Sequence, residues 1–392
     1  MFKKITGKDS FSNIMSSLVA ILVGLLIGSI IIVISNPSQS IYGISTMLFG
    51  GFSDLRNVGQ VLYFATPIIM TGLSVGFANK TGLFNIGGPG QLIVGAFVAV
   101  FIGIKLDLPE GLLWTHWPLC IIGAAVSGAL WGSIPGILKA YLKVNEVITC
   151  IMTNYIGMYL VNYLVATTIY DSSRNQSLNV RASAVSPRLG LNEFFADGLS
   201  KSSVNSGILV AIVLGLVMYV ILSKTKFGFE LKACGYNPDA SKYSGINDKR
   251  NIITSMMIAG ALCGIGGALL FLAGSGKNIE VVDILAAEGF NGIPVALLGL
   301  NNPIGIIFSG LFIAYLGVGG SNMQLYGYVP QVIEIITSVI IYFSAFALLV
   351  KDFLKNRTNK KNKSSQNANE ETPKVNNEEI PKVNAETKGG KE

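Results

Sequence analysis

"VNSGILVAIVLGLVMYVIL", residues 204–222, is a run of nineteen residues that contains no charged side chain. A helix needs about 20 apolar residues to cross the hydrocarbon core of a bilayer, which is close to the length of this run. The composition of the whole chain agrees with it, because 51% of the residues are hydrophobic and only 13% are charged. These fractions lie well outside the averages of soluble domains. The sequence therefore predicts a membrane protein.

Apolar windows of similar length recur along the chain and predict an all-α, polytopic fold with about ten transmembrane helices. The last two windows before residue 320 are short and are separated only by Asn301 and Asn302. Either of them is therefore a candidate half-helix or part of a tight hairpin. The ten windows lie near residues 14–35, 58–79, 86–104, 117–138, 147–169, 204–222, 252–273, 284–300, 303–320 and 331–350.

The distribution of Lys and Arg predicts that both termini lie in the cytoplasm, because cytoplasmic loops carry an excess of positive charge. With the N-terminus inside, the loop 223–251 is cytoplasmic and carries six basic residues, whereas the outer connections 36–57 and 105–116 carry one each. Residues 1–355 form the predicted transmembrane domain. Residues 356–392 have almost no large apolar side chain and cannot bury a core, so we expect a disordered cytoplasmic tail there.

No catalytic or metal-binding constellation is recognisable, so the sequence predicts that the chain is not an enzyme and binds no cofactor itself. The four cysteines form no CxxC pair and have no histidine nearby. The segment most similar to a phosphate-binding loop, "FLAGSGKN", has Phe271 and Asn278 where the loop needs a glycine and a hydroxyl side chain. The net charge of +7 is unevenly spread over a membrane protein, so we expect no nucleic-acid partner.

Polar side chains inside the spans are candidates for solute contacts, because burying them without a purpose is costly. Asn154 and Asn162 share one face of the fifth span and either line a cavity or hold helices together. In "NKTGLFNIGGPGQLIVGA", residues 79–96, four glycines and a proline between residues 82 and 90 interrupt an apolar stretch, so the backbone is not a regular helix. This segment is either a broken helix that binds substrate or an ordinary cytoplasmic turn. Asn291 lies in a similar stretch at 286–305.

The polar loop "KTKFGFELKACGYNPDASKYSGINDKR", residues 224–250, carries the signals of a short helix. Asn237 is a good N-cap, Pro238 fits the first turn, and Gly245 can end the helix in the left-handed conformation. A helix of about seven residues is not stable alone and should dock on a partner, the alternative being a solvated, positively charged loop. The small residues that leave room for a partner's groove are Ala233, Gly235, Ala240, Ser244 and Gly245.

Four motifs in one order resemble the membrane permease subunits of ABC importers for simple sugars and nucleosides. They are "GLFNIGGPGQLIVGA", "VNEVITCIMTNYI", "FGFELKACGYNPDASKYSGI" and "GFNGIPVALLGLNNPIGI". The resemblance covers residues 58–350, and the chain is most similar to the longer of two paired nucleoside permeases. Asn85 and Gln91 match the family's pattern, whereas Pro89 stands where relatives usually have an acidic residue.

The resemblance implies a multi-pass permease of the bacterial plasma membrane that moves a nucleoside or simple sugar by alternating access. It would act with a second, similar permease, an extracytoplasmic substrate-binding lipoprotein and a cytoplasmic ATP-binding subunit that holds ATP and Mg²⁺. The predicted substrate-pathway residues are Asn85, Gln91, Asn154 and Asn291. The predicted ATPase-coupling residues are Gly228, Ala233, Gly235, Asn237, Pro238, Ala240, Ser244 and Gly245.

A stand-alone secondary transporter driven by an ion gradient is the alternative function. Such a protein needs acidic groups near the centre of the bilayer to couple protons or sodium ions. The polar residues in the middle of these spans are mostly Asn, Ser and Thr. The sequence therefore favours the ATP-driven importer.

Overall fold

The computed structural model describes residues 19, 21–198 and 200–345, and most of these residues are helical. The predicted tail at 356–392 lies outside the described residues. The helices are α1 (Ile21–Ser35), α2 (Ser40–Phe49), α3 (Leu55–Lys80), α4 (Gly88–Lys105), α5 (His116–Leu142), α6 (Glu146–Thr168), α7 (Leu191–Phe194), α8 (Gly207–Lys224), α9 (Lys226–Tyr236), α10 (Pro238–Tyr243), α11 (Asp248–Phe271), α12 (Ala287–Leu298), α13 (Pro303–Asn322) and α14 (Pro330–Ala345).

Short strands occur in the connection between α6 and α8, where two antiparallel pairs form. They are β1 (Tyr170–Asp171) with β2 (Gln176–Ser177), and β3 (Ala196–Asp197) with β4 (Ser200–Lys201). Gln176 also pairs with Glu280, which ties this connection to the segment that precedes α12. These strands have only two residues each, and the other described elements are helices, so the prediction of an all-α, polytopic architecture is confirmed.

Seven described helices are long and apolar enough to cross a membrane, namely α3, α4, α5, α6, α8, α11 and α13. They coincide with seven of the ten predicted windows. The eighth window contains α12, which has only 12 residues and is therefore the short helix expected there. In the first and last windows, the described parts of α1 and α14 have 15 and 16 residues, so the total of ten and the orientation stay predictions.

Three helices meet almost backbone to backbone through glycines. A Cβ atom placed on Gly260 of α11 would lie 2.2 Å from the carbonyl oxygen of Gly128 in α5, and one on Gly264 would lie 2.3 Å from that of Ala124. Helix α11 also contacts α4, because a Cβ on Gly95 of α4 would lie 2.3 Å from the Cα of Gly264. Only small residues allow helices to approach this closely. These contacts pack α4, α5 and α11 closely against one another.

The core lies around α3, which is buried along most of its length. Ile69 and Leu73 of α3 pack with residues of α11 and α13 in one hydrophobic cluster. The helices around this core expose aliphatic side chains instead of polar ones, as lipid-facing surfaces do. On α5 these side chains are Ile122, Val126, Leu130, Ile134 and Ile137, and on α8 they are Leu209, Val213, Leu216, Val217 and Val220.

Candidate translocation and coupling site

The segment between α3 and α4 is not helical, as the glycines and the proline predict. Helix α3 ends at Lys80, and α4 begins only at Gly88, with Pro89 in its first turn. Gly82 has a φ of +76°, a left-handed conformation that favours glycine. We call residues 81–87 the broken segment.

Two buried amide side chains hold the broken segment through reciprocal hydrogen bonds. The Asn85 Nδ2 atom donates to Gln91 Oε1 at 2.8 Å, and Gln91 Nε2 donates back to Asn85 Oδ1 at 3.1 Å. Asn85 Nδ2 also donates to Ser74 Oγ at 3.1 Å, and the Ser74 hydroxyl donates to the carbonyl oxygen of Ala259 at 2.7 Å. Both amides are almost completely buried. They therefore link the segment to α3, α4 and α11.

Asn154 of α6 satisfies the backbone on either side of the start of α4. Its Oδ1 accepts a hydrogen bond from the Gly90 amide at 2.9 Å, and its Nδ2 donates to the carbonyl oxygen of Ile86 at 3.0 Å. Asn154 lies eight residues after Glu146, or about 12 Å along the axis of α6. The broken segment therefore lies well within the length of a membrane helix, where backbone groups need such protein partners.

The structure thus brings three of the four predicted pathway residues together. Asn85, Gln91 and Asn154 form one buried network in which their amide groups bond to protein. Asn291 lies apart from them on α12, is half-buried, and makes no side-chain hydrogen bond within the described part of the chain. Helix α12 nevertheless touches the start of α4, because a Cβ on Gly289 would lie 2.4 Å from the Pro89 nitrogen.

Helix α10 has the ends that the sequence predicts. The Asn237 side chain accepts a hydrogen bond from the Ala240 amide at 3.0 Å, and Pro238 occupies the first turn. At the other end, Gly245 has a φ of +79°, and its amide donates to the carbonyl oxygen of Lys242 at 3.0 Å. The amide of Ile246 donates to the carbonyl oxygen of Ser241, which completes a Schellman motif. The prediction of a short capped helix is confirmed.

Two glycines of the loop serve contacts inside the chain. A Cβ on Gly235 of α9 would lie 2.5 Å from the carbonyl carbon of Thr81, and a Cβ on Gly82 would lie 2.4 Å from the Cα of Gly235. A Cβ on Gly228 would lie 2.0 Å from the carbonyl oxygen of Ile221 at the end of α8. A glycine at position 235 therefore lets α9 rest directly on the broken segment.

Gly82 and Ser74 were not among the predicted site residues. A glycine just after a helix is a recognisable signal for a helix end, and it marks Gly82 in "NKTGLFN". Its contact with Gly235 joins residues more than 150 positions apart, and no local pattern announces it. Ser74 lies within α3, and no local pattern distinguishes it from other serines in helices. Only the structure shows that its hydroxyl bonds to Asn85 and Ala259.

Large aromatic side chains project from α9 and α10. Tyr236 is 89% exposed and Tyr243 is 95% exposed. Neighbouring Ala240, Ser244 and Gly245 are exposed as well, so α10 presents a small-residue surface with a free tyrosine beside it. Exposed aromatic residues of this kind are common anchors of protein interfaces.

Comparison with known proteins finds one family of transport proteins that matches most of this chain. The model of a family described as the permease component of a branched-chain amino acid transport system matches residues 57–348. The chain belongs to this permease family. It is a multi-pass membrane protein and the permease subunit of an ABC importer, which confirms the resemblance seen in the sequence.

Named relatives come from different organisms. A guanosine ABC transporter permease protein, NupP of Bacillus subtilis, is 38% identical over 89% of this chain and 98% of its own length. A nucleoside ABC transporter permease protein, NupB of Lactococcus lactis, is 34% identical over 87% of this chain and 93% of its own. A glucose ABC transporter permease protein, TsgB13 of Haloferax volcanii, is 33% identical over 76% of this chain and 77% of its own. No solved structure matches.

Proposed function

We propose that this permease imports nucleosides across a bacterial plasma membrane and that a separate subunit hydrolyses the ATP. The relatives named for guanosine and nucleosides match 89% and 87% of the chain, whereas the relative named for glucose matches 76%. This difference in coverage favours a nucleoside over a simple sugar. The ATP and Mg²⁺ belong to the separate subunit.

A second, different permease completes the proposed complex. In Bacillus subtilis, two proteins carry the name guanosine ABC transporter permease, and this chain is 38% identical to NupP and 26% identical to NupQ. In Lactococcus lactis, the chain is 34% identical to NupB and 29% identical to NupC. The chain therefore corresponds to NupP and NupB and needs a partner of the other kind. A substrate-binding lipoprotein on the outer face delivers the nucleoside.

The contact between Gly235 and Gly82 is the observation that carries the mechanism. It places α9 directly on the broken segment, with no side chain between the two backbones. Contacts between backbones transmit displacement with little loss, because no rotatable side chain can absorb it. A push on the α9–α10 loop would therefore reach Asn85 and Gln91, and through them α3, α4 and α11. This is how we propose that ATP-driven closure reaches the membrane helices.

In this proposal, the three buried amides support the pathway by fixing the backbone of the broken segment and the start of α4. Asn85, Gln91 and Asn154 are bonded to protein in this structure, so they would meet a nucleoside only when the network opens during the transport cycle. Asn291 stays the candidate with free hydrogen-bonding capacity. An ion-driven carrier is less well supported, since the acidic Glu288 near the start of α12 already forms an ion pair with Lys277.

The ATP-binding subunit docks on α9 and α10 in this proposal. We expect Tyr243→Ala to reduce co-purification of that subunit, because the side chain is 95% exposed and its removal leaves no cavity. Leu325→Ala is the matched control, since Leu325 is 84% exposed and lies far along the chain, after α13. If the Tyr243→Ala variant co-purifies as much ATP-binding subunit as the Leu325→Ala control does, this docking site is wrong.

The function itself is tested by reconstitution. The complex of both permeases, the ATP-binding subunit and the lipoprotein is placed in proteoliposomes, and uptake of a panel of labelled nucleosides is measured with and without ATP. We expect uptake of at least one nucleoside that stops when ATP or the ATP-binding subunit is omitted. Uptake by the chain alone down an ion gradient would establish the secondary transporter instead.

A further inference from the structure

Helix α6 exposes a row of tyrosines, which distinguishes it from α5 and α8. Tyr155, Tyr159 and Tyr163 are 48%, 56% and 66% exposed. A spacing of four residues places all three on one face of the helix. We call them the tyrosine stripe. The exposed faces of α5 and α8 are aliphatic along the same part of their length.

The tyrosine stripe lies at a depth where tyrosine is unusual against lipid. The three residues are nine, 13 and 17 positions after Glu146, which corresponds to about 14, 20 and 26 Å along a helix of about 34 Å. Membrane tyrosines are enriched near the headgroups, where the hydroxyl can stay hydrated. Within the described residues, no hydrogen bond is formed by any of the three hydroxyls. Hydrocarbon would leave them unsatisfied, which favours a polar environment for these three hydroxyls.

Helix α6 also bonds to two non-helical stretches of the chain. Asn154 bonds to the broken segment before α4. Two turns further along, the Asn162 Nδ2 atom donates to the carbonyl oxygen of Val282 at 3.0 Å and to Asp283 at 3.1 Å, in the extended stretch that enters the short helix α12. Irregular backbone at membrane depth occurs where it is buried in protein, as the broken segment is, or where it lines a water-filled cavity. The tyrosine stripe lies on the open face of the helix that joins the two, beside the exposed side chains of Met152, Ile156 and Leu160.

We infer that the tyrosine stripe lines a water-filled translocation path and stacks on the base of a nucleoside as it passes. The inference rests on the proposed function for the chemistry of the solute. Successive rings are offset by about 6 Å along the helix, so a base that leaves one ring meets the next. Aromatic rings stack on every nucleobase, and the phenol hydroxyls can exchange hydrogen bonds with ribose or water.

Thiol accessibility tests whether the path is wet. The four native cysteines are all buried, so a single added cysteine reports with little background. In the assembled complex, we expect Tyr159→Cys to react with a positively charged methanethiosulfonate reagent at least tenfold faster than Val213→Cys on the aliphatic face of α8. The cysteine thiolate attacks the sulfenyl sulfur of the reagent and displaces methanesulfinate, and thiolates form in water and not in lipid. Equal, slow reaction at both positions would overturn the inference.

Uptake of labelled guanosine tests the stacking. Tyr159→Leu removes the ring and should lower the uptake rate about tenfold, within the range that loss of one base–aromatic stack produces. Tyr159→Phe keeps the ring and should retain most of the rate, and Leu216→Ala on α8 is the control for an exposed membrane position. Equal rates for Tyr159→Leu and the control would overturn the inference.

The remaining outcomes separate this inference from the proposed function. If the unaltered complex takes up no nucleoside, the proposed function fails, and the thiol experiment still decides whether the stripe faces water. If the unaltered complex transports and Tyr159→Leu no longer co-purifies with the second permease, the stripe is a subunit contact and the inference is wrong. Co-purification is therefore measured for every variant.

Discussion

Replacing Asn154 with alanine tests whether the amide network holds the start of α4. The substitution removes the partner of the Gly90 amide, at 2.9 Å, and the partner of the Ile86 carbonyl oxygen, at 3.0 Å. Each buried backbone group left without a partner costs about 1–3 kcal/mol. The two losses together should lower the free energy of unfolding by about 2–6 kcal/mol.

Asn162→Ala is the matched control on the same helix. It also removes an amide that bonds to a backbone carbonyl, but the bonds of Asn162 to Val282 and Asp283 are exposed. Water can replace an exposed partner, so we expect a loss of less than about 1 kcal/mol.

Both variants are compared by unfolding in detergent with increasing SDS, which gives a free energy for each, and by hydrogen exchange of the Gly90 amide. Exchange at Gly90 should become faster in Asn154→Ala only. Equal free energies for the two variants, or unchanged exchange at Gly90, would refute the role of the network.

Three further predictions concern glycines and a cap. Gly260→Ala should lower the stability in detergent by about 1–3 kcal/mol, because the new methyl group overpacks against α5. Gly317→Ala is the control and should not lower it, since no atom lies within 4 Å of its new Cβ. Equal melting points for the two variants would contradict the close helix contact. Asn237→Ala should cost α10 about 1 kcal/mol, seen as faster hydrogen exchange at 238–243. Gly245→Ala and Gly190→Ala, with φ of +79° and +74° and open space at both Cβ positions, should each cost about 1–2 kcal/mol, yet only Gly245→Ala should reduce ATP-driven uptake.

Features encoded by neighbouring residues could be predicted from the sequence. The bounds of α10 follow from Asn237, Pro238 and Gly245, because each acts on backbone groups within a few positions of itself. The apolar windows were recognisable for the same reason, since a membrane helix satisfies its own backbone. The irregular backbone at 81–87 was also visible, because glycine and proline alter φ and hydrogen bonding locally.

Features that depend on distant residues could not be predicted in the same way. The sequence marked Asn154 and Asn162 as polar residues in an apolar span, and it left a cavity wall and a helix contact equally open. The bonds of Asn154 to Ile86 and Gly90 join positions more than 60 residues apart. Gly235 likewise looked like part of a free surface until its contact with Gly82 was known. Such pairings are set by tertiary packing, for which a single sequence offers no periodic signal.

The dependence of α4 on Asn154 has a consequence for biosynthesis. Gly90 and its partner are separated by 64 residues, so at about 5–20 residues per second the ribosome makes Asn154 some 3–13 s after Gly90. The interval between synthesis of Ser74 and of its acceptor Ala259 is longer, because Ala259 follows 185 residues later. During these intervals the hairpin of α3 and α4 lacks the groups that satisfy its interrupted backbone. It must remain near the insertion machinery, in contact with water or a chaperone, until α6 and α11 arrive.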